Sequence, residues 1–277
     1  MSHVPKERVD VLLVDQQFFT SREQAKRAIM AGQVYVNEEQ ITKPGEKVPI
    51  TSEFVLKGQR LKYVSRGGLK LEKAIDFFGL DIKDKILLDI GSSTGGFTDC
   101  ALQNGARHAY ALDVGYNQLD WKIRSDERVT VMERTNFRYS KPEDFEVGLP
   151  QIATIDVSFI SLNLILPALS TILVDEGEVM ALVKPQFEAG KERVGKKGIV
   201  RDPKVHEDVL AQVKDYANAA GFKLLGATFS PITGGEGNIE FLFHLKKTAT
   251  EVAEFDAFHV LTNEAHLTLS KSTTMES

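Results

Sequence analysis

Beyond residue 80, short apolar runs alternate with stretches whose apolar positions recur every three or four residues. The runs "KILLDI", "HAYALDV", "VTVME", "QIATIDV" and "EVMALVK" are rich in apolar and β-branched residues and predict buried strands. Helical or turn material separates them, which predicts an α/β fold with a parallel sheet covered on both faces. "RDPKVHEDVLAQVKDYANAAG" predicts a helix with Asp202 as N-cap, Pro203 in the first turn and Gly221 as its stop. Val205, Val209 and Val213 form its apolar stripe. The late runs "FKLLGATFS" and "NIEFLFHLKK", joined by "PITGGEG", predict two strands pairing as a hairpin at the sheet edge.

The first sixty residues carry a different pattern. "RVDVLLVDQQF" places Val9, Leu12 and Leu13 at helical spacing. "TSREQAKRAIMAG" adds Thr20 and Glu23 at capping-box spacing and Gly32 where a helix stops, so two short helices are expected. "QVYVNEEQI" alternates Val34 and Val36 with polar neighbours and turns at Asn37, and more short strand material follows Pro44-Gly45. The expected organisation is a small α+β domain over 1–60, a linker and first helix over 61–80, the main domain over 81–247 and a tail over 248–277. The tail suggests no function.

Composition narrows the class. The chain has 277 residues, 42% hydrophobic and 26% charged, enough for one sizeable core plus a small domain, and disordered or collagen-like classes are excluded. Cys100 is the single cysteine, so no internal disulfide forms, and "MSHVPKERVD" lacks the apolar core of a signal peptide. A cytoplasmic protein is expected. "VSFISLNLILPALSTILV" is the nearest approach to a membrane span, but its serines, Asn163 and Pro167 favour a buried strand followed by a helix. A net charge of -5 leaves local basic patches open. One such patch is Arg22, Lys26 and Arg27, within about one helical turn, a pattern that by itself more often marks a solvated helix face than a binding site.

The chemistry starts at "DIGSSTGGFTD", a strand end, a glycine-rich turn and a helix start. A P-loop would need lysine and a hydroxyl after the last glycine, where Phe97 and Thr98 stand. The dinucleotide spacing G-x-G-x-x-G is also missing, and Asp89 is a poor neighbour for a pyrophosphate. An acid there suits a ligand with a cationic end, such as S-adenosylmethionine, with the glycines letting the backbone come close. Asp113 ends the next strand and can accept hydrogen bonds from ribose hydroxyls. Either acid alone reads as a cap. Together, at successive strand ends, they favour a nucleoside site.

"DIGSSTGGFTD" with "ALDVGYNQL", "DVSFISL", "LVKPQFE" and "GNIEFL", preceded by "VSRGGLKLEKA", resembles the TlyA family, often labelled hemolysins. The chain is similar to the wider FtsJ-like class of ribose 2'-O-methyltransferases, over roughly residues 6–247 and in the family's order. The resemblance implies a Rossmann-like methyltransferase sheet with a late antiparallel strand. It implies S-adenosylmethionine as cofactor and a ribose 2'-hydroxyl of ribosomal RNA, at cytidine, as substrate. The implied cofactor contacts are Asp89, Gly91, Ser92, Ser93, Thr94, Gly95, Gly96, Phe97, Asp113, Asn136 and Asp156. No metal is expected, and the oligomeric state stays open.

The same class uses a Lys-Asp-Lys-Glu tetrad, matched here by Lys70, Asp156, Lys184 and Glu240. Lys184 and Asp156 each end an apolar strand, at the carboxyl edge where ligands bind in such folds. Glu240 lies inside an apolar strand, where an unpaired carboxylate is costly. Lys70 beside the stripe Leu71, Ile75 and Phe78 could be merely exposed. The expected roles are Lys184 activating or orienting the hydroxyl, Asp156 and Glu240 positioning Lys184 and substrate, and Lys70 tuning the charge.

"SREQAKRAIMAGQVYVNEEQI" resembles the S-four-type RNA-binding domain, which makes Arg22, Lys26 and Arg27 candidate phosphate contacts. Arg66 and the basic segment "GKERVGKKGIVRDPK", with Lys191, Arg193, Lys196 and Lys197, complete the expected RNA-facing set, the segment reading as a mobile loop over the site. Two rivals remain: a membrane-active hemolysin, and an RNA-binding ribosome-assembly factor that no longer turns over.

Overall fold

A computed structural model describes residues 4–36, 39–57 and 62–274. The chain divides into two compact units, residues 1–60 and 61–277.

The first unit contains β1 (Lys6–Arg8), α1 (Val9–Asp15), α2 (Arg22–Met30), β2 (Val34–Val36), β3 (Glu39–Gln40), β4 (Lys47–Pro49) and β5 (Phe54–Leu56). β1 pairs with β4, and β2 lies between β3 and β5, all antiparallel. Val9, Leu13, Ala25, Ile29, Val34 and Phe54 form the core, so the helical and alternating patterns each turn their apolar side inward. The cap of α2 differs by one residue from the expected one. Ser21, not Thr20, is the N-cap, its hydroxyl accepting from Gln24 N, while Thr20 donates to the Gln24 side chain. The turn expected at Asn37 lies outside the described residues.

The second unit runs α3 (Gly68–Phe78), β6 (Ile86–Ile90), α4 (Gly96–Gln103), β7 (His108–Leu112), α5 (Trp121–Arg124), β8 (Val129–Met132) and β9 (Ile152–Ile155). It continues with α6 (Leu166–Ile172), β10 (Glu178–Val183), α7 (Pro185–Glu188), α8 (Pro203–Ala219), β11 (Phe222–Phe229), β12 (Phe241–Lys247) and α9 (Phe258–Thr274). One seven-stranded sheet has the order β11-β12-β10-β9-β6-β7-β8. The five strands from β10 to β8 are parallel, and β12 is antiparallel to both neighbours. Alternate residues of each strand feed opposite cores. Leu87, Ala109 and Met180 face Leu71, Cys100 and Ile123, whereas Leu88, Tyr110 and Ala181 face Leu169, Val209 and Leu261.

The apolar run from 157 to 174 holds no strand. β9 ends at Ile155, before it, and the run folds into a 3-10 turn at Leu162–Leu164 and then α6. Among the described residues no helix is long and apolar enough to cross a membrane. Glu240 immediately precedes β12 rather than lying within it. The tail contributes α9, whose Phe258, Leu261 and Ala265 join the core cluster that includes α8.

Candidate active site

Sheet topology brings three of the four tetrad residues to one edge. Asp156 follows β9 and Lys184 follows β10, so parallel strands deliver both to the carboxyl edge. Glu240 reaches that edge from the other direction. β12 is antiparallel to β10, with Phe241 opposite Val183, so the residue before β12 stands beside the residue after β10. Lys70 arrives from the first turn of α3.

The four side chains form a row of alternating charge. Lys184 Nζ lies 2.5 Å from Asp156 Oδ1. The other Asp156 oxygen is 3.6 Å from Lys70 Nζ, which donates to Glu240 Oε2 at 2.7 Å. Lys70, Lys184 and Glu240 are only 7%, 9% and 2% exposed. Lys70 is therefore no solvated side chain. Glu240 pairs directly with Lys70, and meets Lys184 only through Lys70 and Asp156. Ser158, which the sequence did not single out, accepts from Lys184 Nζ at 3.0 Å. Gly234 folds over the far end of the row: a Cβ there would stand 2.1 Å from Glu240 Oε1.

Beside the row lies a cavity of about 450 Å³, lined by Gly91, Ser93, Asp113, Asn136, Asp156 and Phe159 among others. Asp113 accepts from Ser93 N at 2.8 Å and from Gly115 N at 2.7 Å, one bond on each oxygen, leaving a lone pair on each for a ligand hydroxyl. Asn136 reaches the cavity from the loop after β8.

Asp89, Ser92, Thr94, Gly95, Gly96 and Phe97 do not line this cavity. Asp89 is fully buried. One oxygen accepts from the Thr98 amide and hydroxyl at 3.1 and 2.7 Å, the other from Thr154 Oγ1 at 3.0 Å. It ties β6 to α4 and β9. Burial, aided by the nearby Asp156 charge, pushes its carboxyl up to about 7 against the pull of the threonines. The glycines also serve the protein's own packing. Gly91 has φ 87, and a Cβ there would meet the Asp156 carbonyl oxygen at 2.4 Å. A Cβ on Gly96 would stand 2.8 Å from Gly68 N at the start of α3.

The basic candidates divide into paired and solvent-facing groups. Arg22 is bound to the buried Asp10 at 2.8 Å, as is Arg8 at 2.9 Å, and Lys26 pairs with Glu23 at 2.7 Å. Arg27, Arg66, Lys191, Lys196 and Lys197 are exposed. Arg193 donates to Ala189 O and pairs with Asp208, which builds it into its own loop.

Residues 63–247 match the model of the FtsJ-like methyltransferases, and residues 7–53 that of the S4 domain. The chain belongs to the FtsJ-like methyltransferase family. It is similar to a Bacillus subtilis protein provisionally named rRNA methyltransferase YqxC, 62% identical over 271 residues and 96% of both chains. It is also similar to the 16S/23S rRNA (cytidine-2'-O)-methyltransferase TlyA of Mycobacterium tuberculosis, 40% identical over 86% of this chain and 89% of the other. A solved Streptococcus thermophilus structure, provisionally named a hemolysin, has a TM-score of 0.78 at 56% identity, covering 98% of this chain and all of that one.

As a family member the protein is an S-adenosylmethionine-dependent methyltransferase. The cavity fits that cofactor. Asp113 keeps a free lone pair on each oxygen, Leu112, Phe137 and Ile165 supply apolar wall, and Asp156 adds a carboxylate to the lining, a donor set that would suit a nucleoside with a cationic end.

Proposed function

We propose that this protein methylates a ribose 2'-hydroxyl of ribosomal RNA, at cytidine, in the cytoplasm. The alternating row Lys184, Asp156, Lys70 and Glu240 beside the cofactor cavity carries this reading. The relatives' rRNA methyltransferase names and the S4 match support it.

Bound S-adenosylmethionine supplies a methyl group on a sulfonium. The chain must hold the attacking oxygen in line with that carbon, and positioning supplies most of the rate. Lys184 is the residue we assign to the hydroxyl: Asp156 and Ser158 hold its Nζ from two sides and so fix where its remaining N–H points. Asp156 bridges the two lysines, and Lys70 with Glu240 closes the row, so each charge meets its opposite. Asp113 and Asn136 are assigned to the nucleoside end of the cofactor, and Gly91 and Ser93 to the turn beneath it. Asp89 shapes that turn through Thr98 and Thr154.

Phe159 is assigned to the target base. It is 90% exposed, has φ 63 and stands 4.9 Å from the Phe187 ring, a strained backbone presenting an aromatic face at the cavity rim. Residues 1–60 are assigned to gripping RNA through Arg27 and its paired neighbours Arg22 and Lys26, residues 61–80 to the linker with α3, and residues 81–247 to catalysis. Arg66, Lys191, Lys196 and Lys197 extend the phosphate contacts, with Arg193 shaping the loop.

Incubation with labelled S-adenosylmethionine and either isolated ribosomal subunits or naked rRNA, all from cells lacking the protein, tests the substrate. Label in RNA of a subunit is expected. Cofactor binding with no label on any substrate would replace this reading with an assembly factor, and liposome leakage with a hemolysin.

A further inference from the structure

The tail helix α9 lies outside the matched methyltransferase region, yet hydrogen bonds tie it through His206 and Val200 to Asn238, in the turn before β12. Phe258, Leu261, Thr262 and Ala265 are buried on it, and the Phe258 ring stacks on Phe243 of β12 with centroids 6.0 Å apart. His266 Nε2 lies 3.0 Å from Nδ1 of His206, a fully buried residue of α8. His206 Nε2 in turn lies 3.2 Å from the carbonyl oxygen of Val200. Only one proton arrangement serves both contacts with neutral rings. His206 carries its proton on Nε2 and donates to Val200 O, so its bare Nδ1 accepts from His266 Nε2–H. Burial, which holds His206 at about 4, keeps that ring neutral.

The line continues past Val200. Its amide donates to Asn238 Oδ1 at 3.0 Å, and Asn238 Nδ2 donates to Gly198 O at 2.9 Å. Asn238 O accepts from Gly234 N at 2.8 Å, and Gly234 is the residue pressed against the Glu240 carboxylate. The basic loop 191–198 thus ends in a clamp made by α9, α8 and the turn before β12.

We propose that α9 is a positioning element for the basic loop, with His266 acting through His206 to fix Val200 and so the placement of Lys196 and Lys197. The RNA side of this role rests on the function proposed above; the tie itself does not.

The test uses the full chain with His266→Ala and His266→Gln. Glutamine keeps an N–H donor at the ε position, so it restores the contact without the ring. Limited trypsin digestion reads opening of the loop through its arginine and lysine bonds. His266→Ala is expected to speed cleavage there by about tenfold, the upper range for loss of one net hydrogen bond, with His266→Gln within about twofold of wild type. Steady-state methyl transfer should then show a similar rise in KM for RNA with kcat nearly unchanged. Unchanged cleavage in His266→Ala, or glutamine behaving like alanine, overturns the proposal. Faster cleavage with an unmoved RNA KM upholds the tie and overturns the loop's assignment to RNA.

Discussion

Replacing Lys70 by methionine isolates the electrostatics of the row. Lys70 is the counter-charge of Glu240, 2.7 Å away, and the nearest other donor to that carboxylate is Gln186 Nε2 at 3.5 Å. With Glu240 2% exposed, Lys70→Met strands a carboxylate away from water. Breaking a buried pair from one side costs about 3–5 kcal/mol, equivalent to a fall in Tm of about 10 °C for a unit of this size. Glu240→Leu should cost less, because the stranded Lys70 keeps Asp156 at 3.6 Å. The double variant Lys70→Met/Glu240→Leu buries two apolar groups and no unpaired charge, so it should recover about 2–4 kcal/mol of the summed single losses. Calorimetry and urea titration of the four proteins complete the cycle. Activity should stay low in all three variants, which separates stability from function. Additive losses with no recovery, or a Lys70→Met protein as stable as wild type, would refute the reasoning.

Asp89 sets a pH dependence of opposite sign to the usual acid. Its folded value of about 7 lies above the ordinary 3.8, so between these the folded state holds the extra proton and stability falls as pH rises through that window. The difference reaches about 4 kcal/mol at most and should be absent in Asp89→Asn, so equal slopes in denaturant titrations from pH 4 to 7 would contradict it. Asp10 behaves the other way: Arg8 and Arg22 hold it at about 2, so its contribution is full above pH 4 and lost as pH falls through 2. Because both arginines are partly exposed, we expect about 1–2 kcal/mol, read by acid unfolding of wild type against Asp10→Asn. Gly91→Ala should cost at least about 2 kcal/mol and more than tenfold in turnover, since its φ is 87 and its Cβ would meet the Asp156 carbonyl oxygen. Gly79→Ala, with φ 68 but nothing within 4 Å, should cost only about 1 kcal/mol and keep turnover in the same assays.

The strands were legible because burial on both faces leaves unbroken apolar runs, and their parallel pairing followed from the helices between them, whereas the strand order did not show in the sequence. Legibility failed where a local pattern serves two purposes. The run 157–174 reads as a strand and then a helix; the helix is α6, but the first half, whose apolar residues pack into the same core as the strands, turns at Leu162–Leu164 instead of extending. Asp89 and Gly96 stand in a motif that announces a ligand, and nothing in the sequence signals their second use, the contacts with Thr98, Thr154 and α3. Lys70 could not be told from a solvated lysine until α3 was set against the sheet edge. Ser158 and the His206–His266 contact left no spacing signal at all, since their partners come from other elements.

The most direct test of the central claim is nucleoside mass spectrometry of rRNA after single-turnover reaction with isotope-labelled S-adenosylmethionine, comparing wild type with Lys184→Ala. The account predicts labelled 2'-O-methylcytidine with wild type, and a loss of at least about a hundredfold in Lys184→Ala with cofactor affinity retained, in line with removal of a positioned acid–base group. Label on a base rather than a ribose, or full transfer by Lys184→Ala, would contradict it.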